Sequence, residues 1–255
     1  MVSHTQFRKP SQVPVKAYIQ TDVQSAFCNA CSCNHTLPRA PAIDAAQKLM
    51  TRMDQELDVA YLNSKALGKM FGVLVCRTQK GEAKTLKAFS GQYNGEWEKK
   101  GWVPPLFDVK KFHSLNDPVE KQIKKLGRES ERTTEGTAKY IDILQTRKKL
   151  SQQLMKDIHA MYTLHNFRGQ QRSLSDLFPE GNGIPTGTGD CCAPKLLNFA
   201  ATHDLQPIGL AEFYWGLTNK SATRQEGHFY SACKDKCGPI LGFLLCGIET
   251  GNKLA

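Results

Sequence analysis

Residues 190–215 read DCCAPKLLNFAATHDLQPIGLAEFYW and join two segments of different pattern. In the first segment, Leu196 and Ala200 lie four residues apart, on one face of a helix, and Asp190 is a suitable N-cap residue. The second segment, residues 207–215, is a short apolar run of the kind that forms buried strands. The stretch therefore predicts a helix followed by a strand in an α/β fold.

The chain before and after this stretch supplies further elements. Apolar residues recur at steps of three and four between Pro41 and Tyr61, which predicts one amphipathic helix. Residues 70–76 (MFGVLVC) and 86–89 are short apolar runs on either side of QKGEAK, which predicts a β-hairpin. A last helix is predicted over about 237–248. The glycines, prolines and tryptophans after the hairpin indicate an ordered loop that packs over it.

A long helical region separates the hairpin from the C-terminal elements. Residues 117–120, DPVE, combine an N-cap residue, a proline and a glutamate in the order that opens a helix. The helical pattern continues to about His165, with interruptions near Gly127 and Gly136. It therefore predicts a helical hairpin inserted at about 110–168.

The composition limits the domain organisation and the cellular setting. With 255 residues and 40% hydrophobic content, we expect a cysteine-rich N-terminal extension over 1–40 and a single α/β domain over 41–255. The longest apolar stretch, residues 239–248, is shorter than the roughly 20 residues that span a bilayer. The first residues carry no apolar run typical of a secretory signal, so we expect a cytoplasmic protein with no membrane partner. Nine cysteines then favour thiols or metal ligands over a disulfide framework.

The net charge of +10 favours phosphate-bearing partners, and it is concentrated in the helical insertion. Between Lys110 and Lys156 there are 12 basic and 6 acidic residues, which leaves a net +6. We predict an RNA-backbone stripe of seven side chains: Lys121, Lys124, Lys125, Arg128, Arg147, Lys148 and Lys149. The alternative is an ordinary solvated helix face.

Cysteines at two predicted helix starts indicate a metal site. Cys191 opens one helix, and Cys233 and Cys237 open the next. Two parallel strand-to-helix junctions side by side would bring these thiols together as ligands of a structural zinc ion. The order of elements is similar to that of the zinc nucleobase deaminases, but the position of their proton-shuttling glutamate is Ala193. Glu212 and Asp190 are carboxylates that could replace it, although neither has the expected offset, so enzymatic activity stays undecided. The alternative to a metal site is a set of buried thiols without a metal.

A second cysteine group lies near the N-terminus, in CNACSCNH. Cys28, Cys31, Cys33 and His35 have the close spacing of a zinc knuckle. No second ligand pair accompanies them in the sequence. The alternative is a cysteine-rich loop without a metal.

Several blocks resemble a known family. TGTGDCCAPKLLNFAATHDLQPIGLAEFYWG and HFYSACKDKCGPILGFLLCGIE, together with KMFGVLVC, LKAFSGQYNGEW and GWVPPLFD, resemble the region that precedes the catalytic domain in long bacterial pseudouridine synthases. These enzymes form the ribosomal-large-subunit pseudouridine synthase A family and modify 23S ribosomal RNA and transfer RNA. The likeness covers roughly residues 42–249.

The resemblance implies an RNA-associated accessory module without catalytic residues of its own. The family's catalytic aspartate lies in an H-R-L-D-type motif, which this chain does not contain. We therefore expect a module that holds ribosomal or transfer RNA while a separate pseudouridine synthase chain supplies the chemistry. The alternatives are a zinc-dependent nucleobase or nucleoside deaminase and a protein-interaction module.

Overall fold

The computed structural model describes residues 23–64, 68–178 and 183–249. Its helices are α1 (Ala40–Met50), α2 (Met53–Glu56), α3 (Val59–Leu62), α4 (Val109–Glu131), α5 (Ala138–Ala160), α6 (Cys192–Thr202) and α7 (Lys234–Leu245). Its strands are β1 (Val23–Cys28), β2 (Cys33–Pro38), β3 (Lys69–Arg77), β4 (Ala83–Phe89), β5 (Thr163–His165), β6 (Gln171–Ser173), β7 (Gln206–Trp215) and β8 (Phe229–Tyr230). The first 22 residues of the predicted N-terminal extension lie outside the described part.

The strands form one central sheet and two small hairpins. The central sheet has the order β4-β3-β7-β8, and β1 pairs with β2 and β5 with β6. The predicted hairpin is confirmed as β3 and β4, and the predicted buried strand is confirmed as β7. Every strand pairing in the described ranges is antiparallel. The fold is thus mixed α/β, and the expected parallel junctions before the cysteine helices are wrong.

Helices cover both faces of this sheet because its two central strands are apolar on both sides. On one face, α1 packs against β3 and β7, where Phe71 and Phe213 stack with ring centroids 5.8 Å apart. On the other face, α6 packs against the same strands, and its Leu196 is fully buried. A Cβ atom on Gly72 of β3 would lie 2.6 Å from Cβ of Cys192, so the glycine permits this close approach. The first turn of α6 is therefore held tightly against the sheet.

The predicted helical hairpin is confirmed as α4 and α5, but its boundaries differ. Helix α4 begins at Val109, where the side chain of Asp108 accepts a hydrogen bond from the Lys111 N–H at 3.0 Å. Pro118, predicted at the helix start, lies inside the helix. The earlier start is explained by Phe112, whose ring packs 5.1 Å from Phe107 and fixes the first turn to the core. Tertiary packing thus outweighs the proline signal.

Other boundaries also differ from the prediction. The helix expected between Pro41 and Tyr61 is divided into α1, α2 and α3, because Leu57 is extended and Asp58 caps a new turn by accepting from the Ala60 N–H. Helix α6 has Cys191 as its N-cap residue in place of Asp190. None of the described helices has both the length and the apolar character needed to cross a membrane.

The predicted loop after the β3–β4 hairpin is confirmed as an ordered cover over it. Trp102 is buried and packs 5.6 Å from the ring of Phe89. The Val103 N–H donates to the Lys87 carbonyl at 2.9 Å. These contacts fix the strand edge beside which α4 begins.

Candidate functional site

Four metal-ligating side chains meet where the β1–β2 hairpin contacts the end of α7. Cys28 ends β1, Cys31 lies in the hairpin turn, His35 lies on β2, and Cys246 follows the last residue of α7. One ligand atom from each of the four lies within 4.8 Å of the others. Three thiols and one imidazole at this spacing can hold a metal ion.

The local sequence explains how the hairpin reaches α7. Cys28 pairs with Cys33 across the end of the hairpin, and Ser32 closes the turn with a φ of 55°. A Cβ atom on Gly242 of α7 would overlap the carbonyl oxygen of Phe27. Glycine at this position therefore lets the helix pass directly against β1, which brings the hairpin turn to the helix end.

The contacts inside the cluster are short, and three of its four side chains are buried, whereas Cys31 is half-buried. The Sγ atom of Cys31 lies 3.1 Å from Nε2 of His35 and 3.6 Å from Sγ of Cys246. Nδ1 of His35 lies 2.9 Å from a carboxylate oxygen of Glu249. Cys28, His35 and Cys246 are at most 3% exposed. Protein atoms thus surround the three buried members of the cluster.

The electrostatics of the cluster favour a thiolate at Cys31. Burial raises the pKa of this thiol, but hydrogen bonds with His35, Cys246 and Cys28 outweigh it and lower the pKa to about 6. Burial lowers the pKa of His35. Its hydrogen bonds with Glu249 and Cys31 raise this pKa by more than burial lowers it, so the net shift is upward. Burial raises the pKa of Cys246 to about 12. A thiolate is the form of cysteine that ligates metals.

The cluster differs from the predicted zinc knuckle by one ligand. Cys33 is exposed, and its Sγ donates to the Cys31 carbonyl at 3.2 Å, so it is not a member of the group. Cys246 takes its place. No local signal marks Cys246 as a ligand, because it lies 211 residues after His35 in an apolar helix end. The spacing in the sequence could therefore identify only three of the four candidate ligands, Cys28, Cys31 and His35.

The structure brings together two of the three C-terminal cysteines that were predicted as metal ligands. The thiols of Cys191 and Cys237 are hydrogen-bonded to each other, and this contact raises the pKa of Cys191 and lowers that of Cys237. Cys233 is the N-cap residue of α7. Within the described ranges, the cluster at Cys28 is the only group of three or more potential ligands at metal-binding spacing. The three-thiolate site stays a prediction.

A buried carboxylate lies beside these cysteines. Glu212 of β7 is 3% exposed, and its Oε1 accepts a hydrogen bond from the Ala193 N–H at 3.0 Å. Burial raises the pKa of Glu212 to about 7, although the Ala193 N–H and the charges of Arg39 and Arg224 act in the opposite direction. A carboxylate from the neighbouring strand β7 therefore contacts the backbone of α6 at Ala193.

The seven predicted RNA-binding residues all lie on α4 or α5 and are exposed. Of the seven, Lys121, Lys124, Lys125 and Arg128 lie on α4, and Lys121 is three and four residues before the two lysines, as Arg128 is four and three residues after them, which places the four on one side of the helix. In the described part of the chain, Lys124 is the only one of the seven with an ion-pair partner, Glu120 at 2.9 Å. The Arg147 guanidinium lies over Gly127, where a Cβ atom would be 3.7 Å away. Arg147 of α5 thus lies next to the part of α4 that carries the basic residues.

The chain matches no family model, no curated protein and no solved structure.

Proposed function

We propose that this chain is an RNA-associated accessory module that holds ribosomal or transfer RNA along the α4–α5 hairpin. The observation that carries the proposal is the exposed basic face of this hairpin. Lys121, Lys125 and Arg128 have no ion-pair partner among the described residues. Cations that are not neutralised within the protein remain available for phosphates.

The packing of the hairpin supports the same proposal. Helices α4 and α5 make their extensive contacts with each other. Each has 23 residues, but only Phe112 of α4 and Ile143, Leu154 and His159 of α5 are buried. The rest of the hairpin surface is accessible to a large partner. Phosphate contacts on such a surface position an RNA without reading its sequence, as expected for a module whose chemistry is supplied by a separate synthase chain.

We also propose that the metal of the Cys28, Cys31, His35 and Cys246 cluster is a structural zinc ion. Three thiolates and one imidazole are a donor set that zinc favours, and structural zinc sites use four protein ligands. The ion would join the β1–β2 hairpin to the end of α7. None of the four cluster residues belongs to α4 or α5, so the two proposals are independent.

Salt-dependent binding to transfer RNA and to a ribosomal RNA fragment tests the RNA proposal. We compare the wild-type chain with a Lys121→Glu, Lys125→Glu, Arg128→Glu variant. A matched variant with Lys80→Glu, Lys84→Glu and Lys220→Glu changes the net charge by the same amount at exposed sites elsewhere. We expect the hairpin variant alone to weaken binding and to reduce the slope of log K against log salt by about 2 to 3, at roughly 0.7 to 0.9 for each lost phosphate contact. Equal effects of the two variants, or no binding of the wild type at low salt, would refute the proposal.

A further inference from the structure

We infer that Glu249 is the positioning residue of the metal centre, which orients His35 so that its Nε2 atom faces the ion. This inference rests on the proposed zinc site. Both carboxylate oxygens of Glu249 lie near Nδ1 of His35, at 2.9 and 3.1 Å. A carboxylate at this distance accepts a hydrogen bond from Nδ1–H, so in the neutral imidazole the lone pair that can bind a metal is on Nε2.

Of the two ring nitrogens of His35, Nε2 is the one on the side of the cysteines. Nε2 lies 3.1 Å from Sγ of Cys31, inside the group of four ligand atoms. The His35 side chain is 4% exposed, whereas that of Glu249 is 54% exposed. The imidazole therefore has its orientation set by its two protein partners, and Glu249 supports it from the solvent side. The ring thus has one nitrogen for the carboxylate and one for the metal.

Glu249 lies in the same short segment of the chain as the proposed ligand Cys246. Glu249 follows Cys246 by three residues, so one short segment after α7 supplies both a ligand and the carboxylate that orients another ligand. The Phe167 N–H donates to the Cys246 carbonyl at 3.0 Å, and Arg168 packs against Gly247, which fixes this segment. The β1–β2 hairpin supplies the remaining ligands. Metal binding would therefore join two segments that are far apart in the sequence, both through the ligands and through the carboxylate that orients one of them.

The donor set also predicts the kind of site. Four protein ligands would leave no position open for water or substrate, and three of the four side chains are buried. The metal would contribute folding free energy and no chemistry of its own. We therefore expect loss of the ion to loosen the hairpin from α7 and to leave the central sheet intact.

The experiment measures zinc content, zinc affinity by chelator competition, and the ligand-field spectrum of the Co²⁺-substituted full chain. The variants are Glu249→Ala, Glu249→Gln and the ligand variant Cys31→Ser. Cys33→Ser and Glu82→Gln are matched controls, because both residues are exposed and outside the cluster. Circular dichroism verifies that each variant is folded.

We expect one zinc per chain in the wild type and both controls, and severe loss of zinc in Cys31→Ser. Glu249→Ala should weaken zinc binding by about 10-fold to 100-fold and shift the Co²⁺ bands, and Glu249→Gln should recover part of both because its amide oxygen can still accept a hydrogen bond from Nδ1–H. A wild-type chain without zinc refutes the metal proposal itself. A zinc-loaded wild type whose affinity and Co²⁺ spectrum are unchanged by Glu249→Ala refutes only the role of Glu249.

Discussion

Replacement of Glu212 by glutamine should change how the stability of the protein depends on pH. Burial raises the pKa of this carboxyl from 4.5 to about 7. A folded-state pKa above the unfolded value means that the native state binds the proton more tightly. The stabilisation by this group is therefore complete below about pH 4.5 and is lost as the pH rises through 7.

The size of the effect follows from the two pKa values. At about 1.4 kcal/mol for each pKa unit, the shift corresponds to a loss of about 3 kcal/mol between pH 4.5 and pH 8. Glutamine stays neutral over this range, and its amide oxygen can still accept from the Ala193 N–H. Glu212→Gln should thus be about as stable as the wild type near pH 4.5 and more stable by up to about 3 kcal/mol at pH 8.

Urea unfolding at a series of pH values measures this difference, with a thiol reductant and a fixed metal concentration present. The difference between variant and wild type cancels contributions that both share, including protonation of the metal ligands. The exposed Glu82→Gln serves as the control and should show no such trend. The neighbouring groups, Arg39, Arg224 and the thiols of Cys191, Cys192 and Cys237, are the same in both proteins. A free-energy difference that stays constant from pH 4.5 to 8 would refute the assignment of Glu212 as the titrating group.

Two further predictions concern local structure. Asp108→Ala removes the cap of α4 and should cost about 1 kcal/mol of unfolding free energy, whereas Asp117→Ala, inside the helix, should cost less; thermal melts of the two variants compare them. Equal or reversed effects would place the start of α4 at the proline. Gly242→Ala should destabilise the chain by more than about 1 kcal/mol, because its methyl group overlaps the Phe27 carbonyl, and it should also weaken zinc binding. Gly238→Ala on the same helix meets no atom within 4 Å and is its control; unchanged zinc affinity in Gly242→Ala would contradict the close helix–strand contact.

Much of the fold could be predicted because its signals are local. The apolar runs of β3, β4 and β7 and the helical periodicity of α5 are properties of neighbouring residues, and the structure contains all of them. The concentration of basic residues between Lys110 and Lys156 is equally a property of the sequence. The boundaries were less predictable, since the packing of Phe112 extended α4 past the proline signal.

The candidate metal site shows the limit of local reasoning. The spacing of Cys28, Cys31, Cys33 and His35 by itself indicated a metal-binding group but gave Cys33 as the fourth ligand, which the structure places outside the group. Only the tertiary structure brought Cys246 and Glu249 to them, because a glycine in α7 lets β1 pass against the helix. The sequence determines which residues can bind a metal, since that depends on their chemistry. The fold determines which of them meet, since that depends on contacts between segments more than 200 residues apart.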